Sequence, residues 1–156
     1  MRLKFLWIGK TKDPLFLGIE EKYLQRVGWF LPTERVTVPD LKKSDLHQQS
    51  TQMEREAQSI LKKLSAETYV VILDQVGERF TSQGLASFMT ELQNRATKEL
   101  AFVVGGHLGI PKKIKGSADR RLTLTSLTLP HEMARIILLE QVYRAVSIIK
   151  GSPYHK

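Results

Sequence analysis

Residues 100–106 read Leu100-Ala101-Phe102-Val103-Val104-Gly105-Gly106, a continuous apolar run that ends in two glycines. A second run of this kind, Tyr69-Val70-Val71-Ile72-Leu73, precedes it in the chain. Strands that are buried on both faces of a parallel sheet have this composition, because helices cover both faces of such a sheet. The two runs therefore predict the centre of a parallel sheet.

Predicted strands and helices alternate on both sides of these runs. The first strand alternates Leu3, Phe5 and Trp7 with other side chains. The first helix carries an apolar face made of Ile19, Tyr23, Leu24 and Val27. We predict strands at 2–9, 34–38, 69–73, 100–104 and 121–124, and helices at 14–30, 42–64, 82–95 and 130–149, with loops at 74–80 and around Lys112. This alternation predicts an α/β fold with a mostly parallel sheet flanked by helices, in one domain over residues 1–156.

The last predicted helix, 130–149, is apolar on two sides. One side holds Ala134, Ile137, Leu138, Val142, Ala145 and Ile149, and the other holds Ile136, Leu139, Tyr143 and Val146. Both sides of such a helix must be covered. We expect the sheet to cover one side and a second copy of the chain to cover the other, in a twofold homodimer.

The composition limits the class of protein and of partner. The formal net charge is +8, which favours a polyanionic partner, with nucleic acid as the first candidate. The chain has no cysteine, which fits a reducing compartment, and we expect a cytoplasmic location. Neither a signal peptide nor an apolar run long enough to span a bilayer is evident, so we expect a soluble protein without a membrane partner.

Two glycine-containing stretches resemble phosphate or nucleotide sites. Gly9-Lys10-Thr11 fails as a P-loop, because Lys4 stands where that motif needs a glycine. Gly105-Gly106-His107-Leu108-Gly109 lets a ligand approach the backbone at the carboxyl edge of the sheet, although it is not the dinucleotide fingerprint. A plain tight turn is the alternative interpretation of this loop.

A few polar residues stand at positions suited to chemistry. The four histidines are dispersed and cysteine is absent, so no metal site is expected. Asp74 follows a central strand and either contacts a ligand or caps a turn. His131 either packs at a helix start or contacts a ligand. His155, beside Tyr154, is the better candidate for proton transfer, and the alternative is a disordered tail residue.

Several motifs together resemble a known enzyme family. They are Leu73-Asp74, Val103-Val104-Gly105-Gly106-x-x-Gly109, the stretch 124–131, Tyr143-Arg144-Ala145-x-Ser147-Ile148 and the terminal Pro153-Tyr154-His155-Lys156. In this combination and over the whole length, the chain resembles the ribosomal RNA large subunit methyltransferase H family. These are small SPOUT-class enzymes that methylate a pseudouridine at N3.

The resemblance implies a fold, a cofactor, a partner and a substrate. It implies a SPOUT-type fold with a C-terminal trefoil knot, a working homodimer and S-adenosylmethionine as methyl donor. The implied substrate is the intersubunit stem-loop of 23S rRNA in the assembled ribosome. By motif match, the cofactor-binding residues are Leu73, Gly105, Leu124, Thr125, Ser126, Leu127, Thr128 and Leu129. Apolar side chains and backbone groups of this kind can hold an adenine without a charged signature.

The implied chemistry assigns roles to three further residues. Alignment supplies much of the rate, but the N3 proton must leave. We assign His155 and Tyr154 to substrate placement and proton removal, and Arg144 to an RNA phosphate or the polarised base. Lys112, Lys113, Lys115, Arg120 and Arg121 are candidates for phosphate contact, and a solvated basic face is the alternative.

Two other functions remain open at this point. A non-enzymatic ribosome-binding or assembly factor would also account for the size, the charge and dimerisation, but it would not need the 124–130 loop or the Tyr-His tail. A SPOUT-like methyltransferase acting on transfer RNA is the second alternative, and the lack of an added RNA-binding domain disfavours it only slightly.

Overall fold

A computed structural model describes residues 1–40, 46–152 and 154 of the chain, with the backbone alone for 46–49. Its five strands and five helices alternate: β1 (Arg2–Ile8), α1 (Pro14–Gly28), β2 (Thr33–Val38), α2 (Leu46–Leu61), β3 (Thr68–Glu78), α3 (Ser82–Asn94), β4 (Glu99–Val104), α4 (Lys112–Ser117), β5 (Arg120–Leu122) and α5 (His131–Ile149). The predicted start of the second helix, at 42, lies outside the described residues.

The five strands form one parallel sheet in the order β2-β1-β4-β3-β5. Strand β4 lies at the centre, where Val103 pairs with Leu6 of β1 and with Ile72 of β3. All six residues of β4 are buried. The prediction of a parallel α/β sheet with the two apolar runs at its centre is therefore confirmed.

Helices cover both faces of the sheet. Leu3, Phe5 and Trp7 of β1 point into a core that they share with α1, α3 and α5. Leu6 and Ile8 point to the opposite face, where α2 and α4 cover them. The period-two alternation of β1 thus separates two apolar cores instead of one core and solvent, because β1 is an interior strand.

Two predicted loops contain regular structure. The predicted 74–80 loop is wrong in part, since β3 continues to Glu78 and pairs again with β5 after an irregularity. The backbone N–H of Thr123 donates to the Glu78 carbonyl at 2.8 Å, so backbone bonds hold this polar extension. The lysine-rich loop contains the short helix α4, which Ile114 anchors by burying its side chain.

Helix α5 packs between α1 and α3. Both predicted apolar sides are largely buried within the chain: Leu138, Val142 and Ala145 on the first side, and Leu139, Tyr143 and Val146 on the second. The ring of Tyr143 lies 6.1 Å from those of Tyr23 and Phe30. The second apolar side is therefore covered largely by the chain itself, and the homodimer remains a prediction.

A buried polar network joins the end of β1 to α1 and α5. The Glu20 carboxylate, 1% exposed, accepts hydrogen bonds from Trp7 Nε1 at 2.6 Å, from the Thr11 hydroxyl and from Arg35 at 2.8 Å. Arg135, fully buried on α5, donates to the Ile8 carbonyl at 2.6 Å and to Thr11 Oγ1 at 2.9 Å. The Glu20 carboxylate thus pairs directly with Arg35 and reaches the buried Arg135 through the shared Thr11 hydroxyl.

Helix α1 presents the predicted face to the core over its second half, where Tyr23 and Leu24 pack against the core. Val27 is buried as expected, but Ile19 is exposed and the neighbouring Glu20 is buried.

Among the residues described, no helix is both long and apolar enough to cross a bilayer.

We expect Glu20→Gln to lower the free energy of unfolding by about 3 kcal/mol, because it removes a buried carboxylate that pairs with Arg35 and attracts the buried Arg135. Glu21→Gln is the matched control. Glu21 also pairs with Arg35, at 2.6 Å, but its side chain is 56% exposed, so the expected loss is below about 1 kcal/mol. Urea unfolding of both variants provides the measurement, and equal losses would contradict the role given to Glu20.

Candidate functional site

A cavity of about 540 Å³ opens at the carboxyl edge of the sheet. Three segments contribute its walls: residues 73–75 of β3, where its regular pairing stops, residues 104–110 at the end of β4 and in the loop after it, and most of the stretch from Leu122 to His131. Lys115 of α4 and Ala134 of α5 complete the wall. Open α/β sheets bind ligands at this edge, so the topology and the cavity indicate the same site.

The glycine loop after β4 is both a tight turn and a wall of the cavity. Gly106 and Gly109 form an isolated bridge, and Gly109 has a φ of 78°, which favours glycine. A Cβ on Gly105 would lie 2.6 Å from the carbonyl carbon of Gly109. The turn therefore needs glycine at 105 for its own closure, and the same closure exposes backbone groups to the cavity.

The predicted cofactor-binding residues lie around this one cavity, except Ser126. The structure brings together Leu73, Gly105, Leu124, Thr125, Leu127, Thr128 and Leu129. Ser126 is exposed and does not line the cavity. The Thr125 hydroxyl accepts a hydrogen bond from the Leu127 backbone N–H at 3.2 Å, which shapes the loop. Leu127 is 74% exposed and forms an apolar rim.

An ion pair forms one side of the cavity. The ammonium of Lys115 lies 2.7 Å from Asp74 Oδ2, and the Gln75 backbone N–H donates to Asp74 Oδ1 at 2.8 Å. Burial alone would raise the pKa of Asp74, but Lys115 and the backbone N–H groups that follow Asp74 outweigh this effect. The pKa of Asp74 therefore lies below its usual value. Asp74 is therefore a carboxylate that faces both Lys115 and the cavity.

Two histidines line the cavity at its other side. His107 Nδ1 lies 3.0 Å from Asp40 Oδ1, across from the start of α5. Burial lowers the pKa of His131, and the positive charge of Arg135 lowers it further. His131 is therefore neutral at pH 7, so it lines the cavity without adding positive charge.

The predicted catalytic residues Tyr154 and Arg144 lie away from this cavity. The Tyr154 ring packs on Tyr143 at 4.4 Å, near the end of α5, whereas His131 begins that helix. Twelve residues separate His131 from Tyr143, which is about 18 Å along a helix axis. His155 lies outside the described residues.

Arg144 and Tyr154 form a cluster of their own. The Arg144 guanidinium donates twice to Glu140 Oε1, at 3.0 and 2.7 Å, and lies 5.2 Å from the centre of the Tyr154 ring. The hydrogen bonds that Arg144 donates to Glu140 raise the pKa of Arg144. Burial raises the pKa of Tyr154, and so does its hydrogen bond with Tyr23. The Tyr154 phenol is therefore protonated at neutral pH and can donate a hydrogen bond.

The five candidate phosphate-binding cations have different surroundings. Lys112 and Lys113 are exposed on α4. Arg120 pairs with Glu78 at 3.2 Å and lies 4.7 Å from the centre of the Phe88 ring. Arg121 donates to the Lys115 carbonyl at 3.2 Å, and Lys115 itself pairs with Asp74. Lys112 and Lys113 are thus the best placed for an external polyanion.

Sequence analysis did not identify Arg135 and Glu132, which fix the wall formed by α5. Arg135 ties α5 to the end of β1, and the Glu132 carboxylate accepts hydrogen bonds from the backbone N–H groups of Lys12 and Asp13 at 2.8 and 3.4 Å. Together they hold the first turn of α5, and with it His131, against the β1–α1 loop. The available signal was an arginine inside an otherwise apolar helical stretch.

Comparison with solved structures agrees with this fold. A probable methyltransferase from Bordetella pertussis Tohama I superposes with a TM-score of 0.60 at 15% identity, over 93% of this chain and 96% of that one. A probable methylase family protein from Haemophilus influenzae Rd KW20 gives a TM-score of 0.57 at 15% identity, over 99% of this chain and 70% of that one. At these identities the likeness concerns the fold alone.

Comparison with sequences identifies the family. The family described as "Predicted SPOUT methyltransferase" matches residues 1–155. Proteins named ribosomal RNA large subunit methyltransferase H from Geobacter sp. strain M21 and from Parabacteroides distasonis are 38% and 34% identical, each over 99% of both chains. This chain therefore belongs to the SPOUT methyltransferases and, within them, to the ribosomal RNA large subunit methyltransferase H family.

Proposed function

We propose that this protein transfers a methyl group from S-adenosylmethionine to N3 of a pseudouridine in the intersubunit stem-loop of 23S rRNA, in the assembled ribosome. The observation that carries the proposal is the cavity at the carboxyl edge, whose walls contain the predicted cofactor residues other than Ser126. Family membership supports this proposal, since the relatives are named as methyltransferases of large subunit ribosomal RNA. A cytoplasmic location follows from this substrate.

The cavity fits the proposed cofactor in size and in chemistry. Its volume of about 540 Å³ lies within the range of small-molecule sites. Leu73, Leu124 and Leu129 supply apolar walls for an adenine, and the loop at Gly105 brings backbone groups within reach of its polar edge. The bound donor supplies a methyl group already activated on a sulfonium, so the protein mainly has to align it with the base.

The N3 proton of the base must leave during methyl transfer, and the tail residues are our candidates for this task. Because the pKa of Tyr154 is raised, its phenol is suited to donate a hydrogen bond to the base and not to remove a proton. We therefore assign proton removal to His155 and placement of the base to Tyr154. Arg144, held by Glu140, would bind a phosphate by exchanging one of its present hydrogen bonds.

A homodimer would bring these two groups of residues together. Within one chain, the Tyr154 cluster and the cavity lie at opposite ends of α5. Leu15 and Ile19 of α1 are exposed, and the hydrogen bonds from Lys12 and Asp13 to Glu132 hold the start of α1 beside the start of α5. An apolar surface therefore lies next to the cavity. We propose that a second copy covers this surface and that its tail completes the site.

The two alternative functions, an assembly factor and a transfer-RNA methyltransferase, can be compared with this proposal. An assembly factor without enzymatic activity would not need a cavity walled by the 124–129 loop. A transfer-RNA methyltransferase would share the cavity and differ only in its RNA partner.

The trefoil knot implied by the family remains a prediction, in addition to the parallel sheet described above.

We expect radiolabel from S-adenosylmethionine to enter RNA only when the protein is incubated with intact ribosomes, because the proposed stem-loop is recognised at the subunit interface. Free large subunits, naked rRNA and bulk transfer RNA are the parallel substrates. Label in transfer RNA alone would favour a methyltransferase that acts on transfer RNA. If no RNA is labelled and calorimetry detects no cofactor binding, the assembly-factor function is favoured.

Mixing two inactive variants tests the composite site. We expect Gly105→Val, which disturbs the cavity, and His155→Ala, which alters the tail, to be inactive alone. Their mixture should recover about one quarter of wild-type activity, because random exchange gives half heterodimers with one intact site each. Remixed Gly105→Val alone is the control. A mixture that stays inactive while heterodimers form would contradict the shared site.

The affinity for S-adenosylmethionine should depend on the charge of His131. The pKa of His131 is below its ordinary value of about 6.5, so this residue stays neutral until the pH falls below that value. We expect cofactor affinity to be nearly constant from pH 7, where the α-amino group of the cofactor is protonated, to about pH 6.5 and to fall below it, as an imidazolium repels the sulfonium.

His131→Gln should flatten this pH profile, because it removes the titrating group. S-adenosylhomocysteine, which lacks the sulfonium charge, is the matched ligand, and its affinity should vary less with pH. Identical profiles for both ligands, measured by calorimetry, would show that His131 does not act through its charge.

A further inference from the structure

The Asp74–Lys115 pair is distinguished by its place in the cavity. Among the described residues that line it, these two are the only acidic and basic side chains other than histidine. The remaining walls are apolar side chains, hydroxyls, one amide, the two histidines and glycine backbone. A ligand in this cavity therefore meets two opposite full charges side by side, at a separation of 2.7 Å.

Both members of the pair are held in position by the segment that contains β5. The Thr123 hydroxyl donates to the Asp74 backbone carbonyl at 3.0 Å, and Arg121 donates to the Lys115 backbone carbonyl at 3.2 Å. The two backbone segments that carry these charges, in β3 and in α4, are thus each hydrogen-bonded to the segment that contains β5. The backbone at both residues is therefore restrained, and the ion pair and the Gln75 backbone N–H restrain the charged groups themselves, which limits the freedom lost when a ligand binds.

The pair retains capacity for further hydrogen bonds. A lysine ammonium has three N–H donors, and within the described part of the chain Asp74 is the acidic partner of Lys115. The Asp74 carboxylate has several lone-pair positions, of which Lys115 and backbone N–H groups occupy some. A ligand with its own adjacent carboxylate and ammonium can join both groups without separating them.

We propose that Asp74 and Lys115 recognise the amino-acid end of the methyl donor, with Lys115 binding its α-carboxylate and Asp74 its α-ammonium. This inference rests on the proposed function and names the charge-specific part of the same site. Adenine recognition by apolar walls and backbone groups cannot distinguish the donor from other adenosine derivatives. The charge pair adds this discrimination, because each ligand charge gains a charge-assisted hydrogen bond.

The competing interpretation is a purely structural ion pair that joins α4 to β3. Surface pairs of this kind contribute little to stability, and they would act equally on every ligand of the cavity. The proposal instead predicts an effect that depends on the ligand. It also assigns Lys115 to the cofactor instead of an RNA phosphate, and leaves Lys112 and Lys113 for the RNA.

Calorimetry with three ligands separates these possibilities. S-adenosylmethionine and S-adenosylhomocysteine both carry the amino-acid group, whereas 5′-methylthioadenosine lacks it. We expect Lys115→Met to weaken the first two by about tenfold or more and to leave the third within about twofold of wild type. Lys115→Arg should restore most of the affinity, since it keeps the charge.

Lys62→Met is the control, because it makes the same change at an exposed lysine that does not line the cavity. It should bind all three ligands as wild type does. Asp74→Asn should repeat the pattern of Lys115→Met. Thermal unfolding of each variant verifies that it is folded before its affinity is interpreted.

The outcomes are distinguishable. An equal loss for all three ligands, or no loss for any, would overturn the inference while leaving the proposed function intact. A loss confined to S-adenosylmethionine in Asp74→Asn would show that Asp74 faces the sulfonium, which also contradicts the assignment. A wild-type protein that binds none of the ligands would remove the proposed cofactor itself, and the inference with it.

Discussion

The structure depends on the need to cover both faces of its parallel sheet. Strand β4 is buried along its whole length and hydrogen-bonded on both sides, so neither of its faces tolerates water. Three helices on one face and two on the other meet this requirement. The carboxyl ends of the strands remain uncovered by these helices, and the loops that leave them enclose the cavity. The location of the site thus follows from how the core is closed.

How well each strand or helix was predicted depended on the interactions that stabilise it. Central strands and α5 were predicted because their apolar side chains form continuous runs or wide faces. The β3 extension was missed because backbone hydrogen bonds to β5, and not side-chain burial, hold it. Helix α1 was predicted with Ile19 inward, yet Glu20 is buried. Hydrophobic periodicity cannot anticipate a buried carboxylate whose partners, Trp7 and Arg35, come from other strands.

The candidate site was predictable to a similar degree. Motif resemblance brought Leu73, Gly105 and the leucine-rich loop into one group, and the structure brings them around one cavity, without Ser126. The Asp74–Lys115 pair could not be foreseen, because the two residues are 41 positions apart and meet only through β5. Arg135 was equally hidden, since its partner is a backbone carbonyl at Ile8. Contacts between distant segments were therefore the part that sequence patterns did not supply.

The two outer strands restrict how copies of this protein can associate. Strand β5 has only three residues, and β2 lies between Pro32 and Pro39 and carries Glu34 and Arg35. Short, charged or proline-flanked outer strands resist pairing with the strand of another molecule. Pairing of β2 or β5 with a strand of another molecule, which would extend the sheet, is consequently disfavoured. Contacts between copies would therefore have to use helical surfaces, which do not propagate a sheet from molecule to molecule.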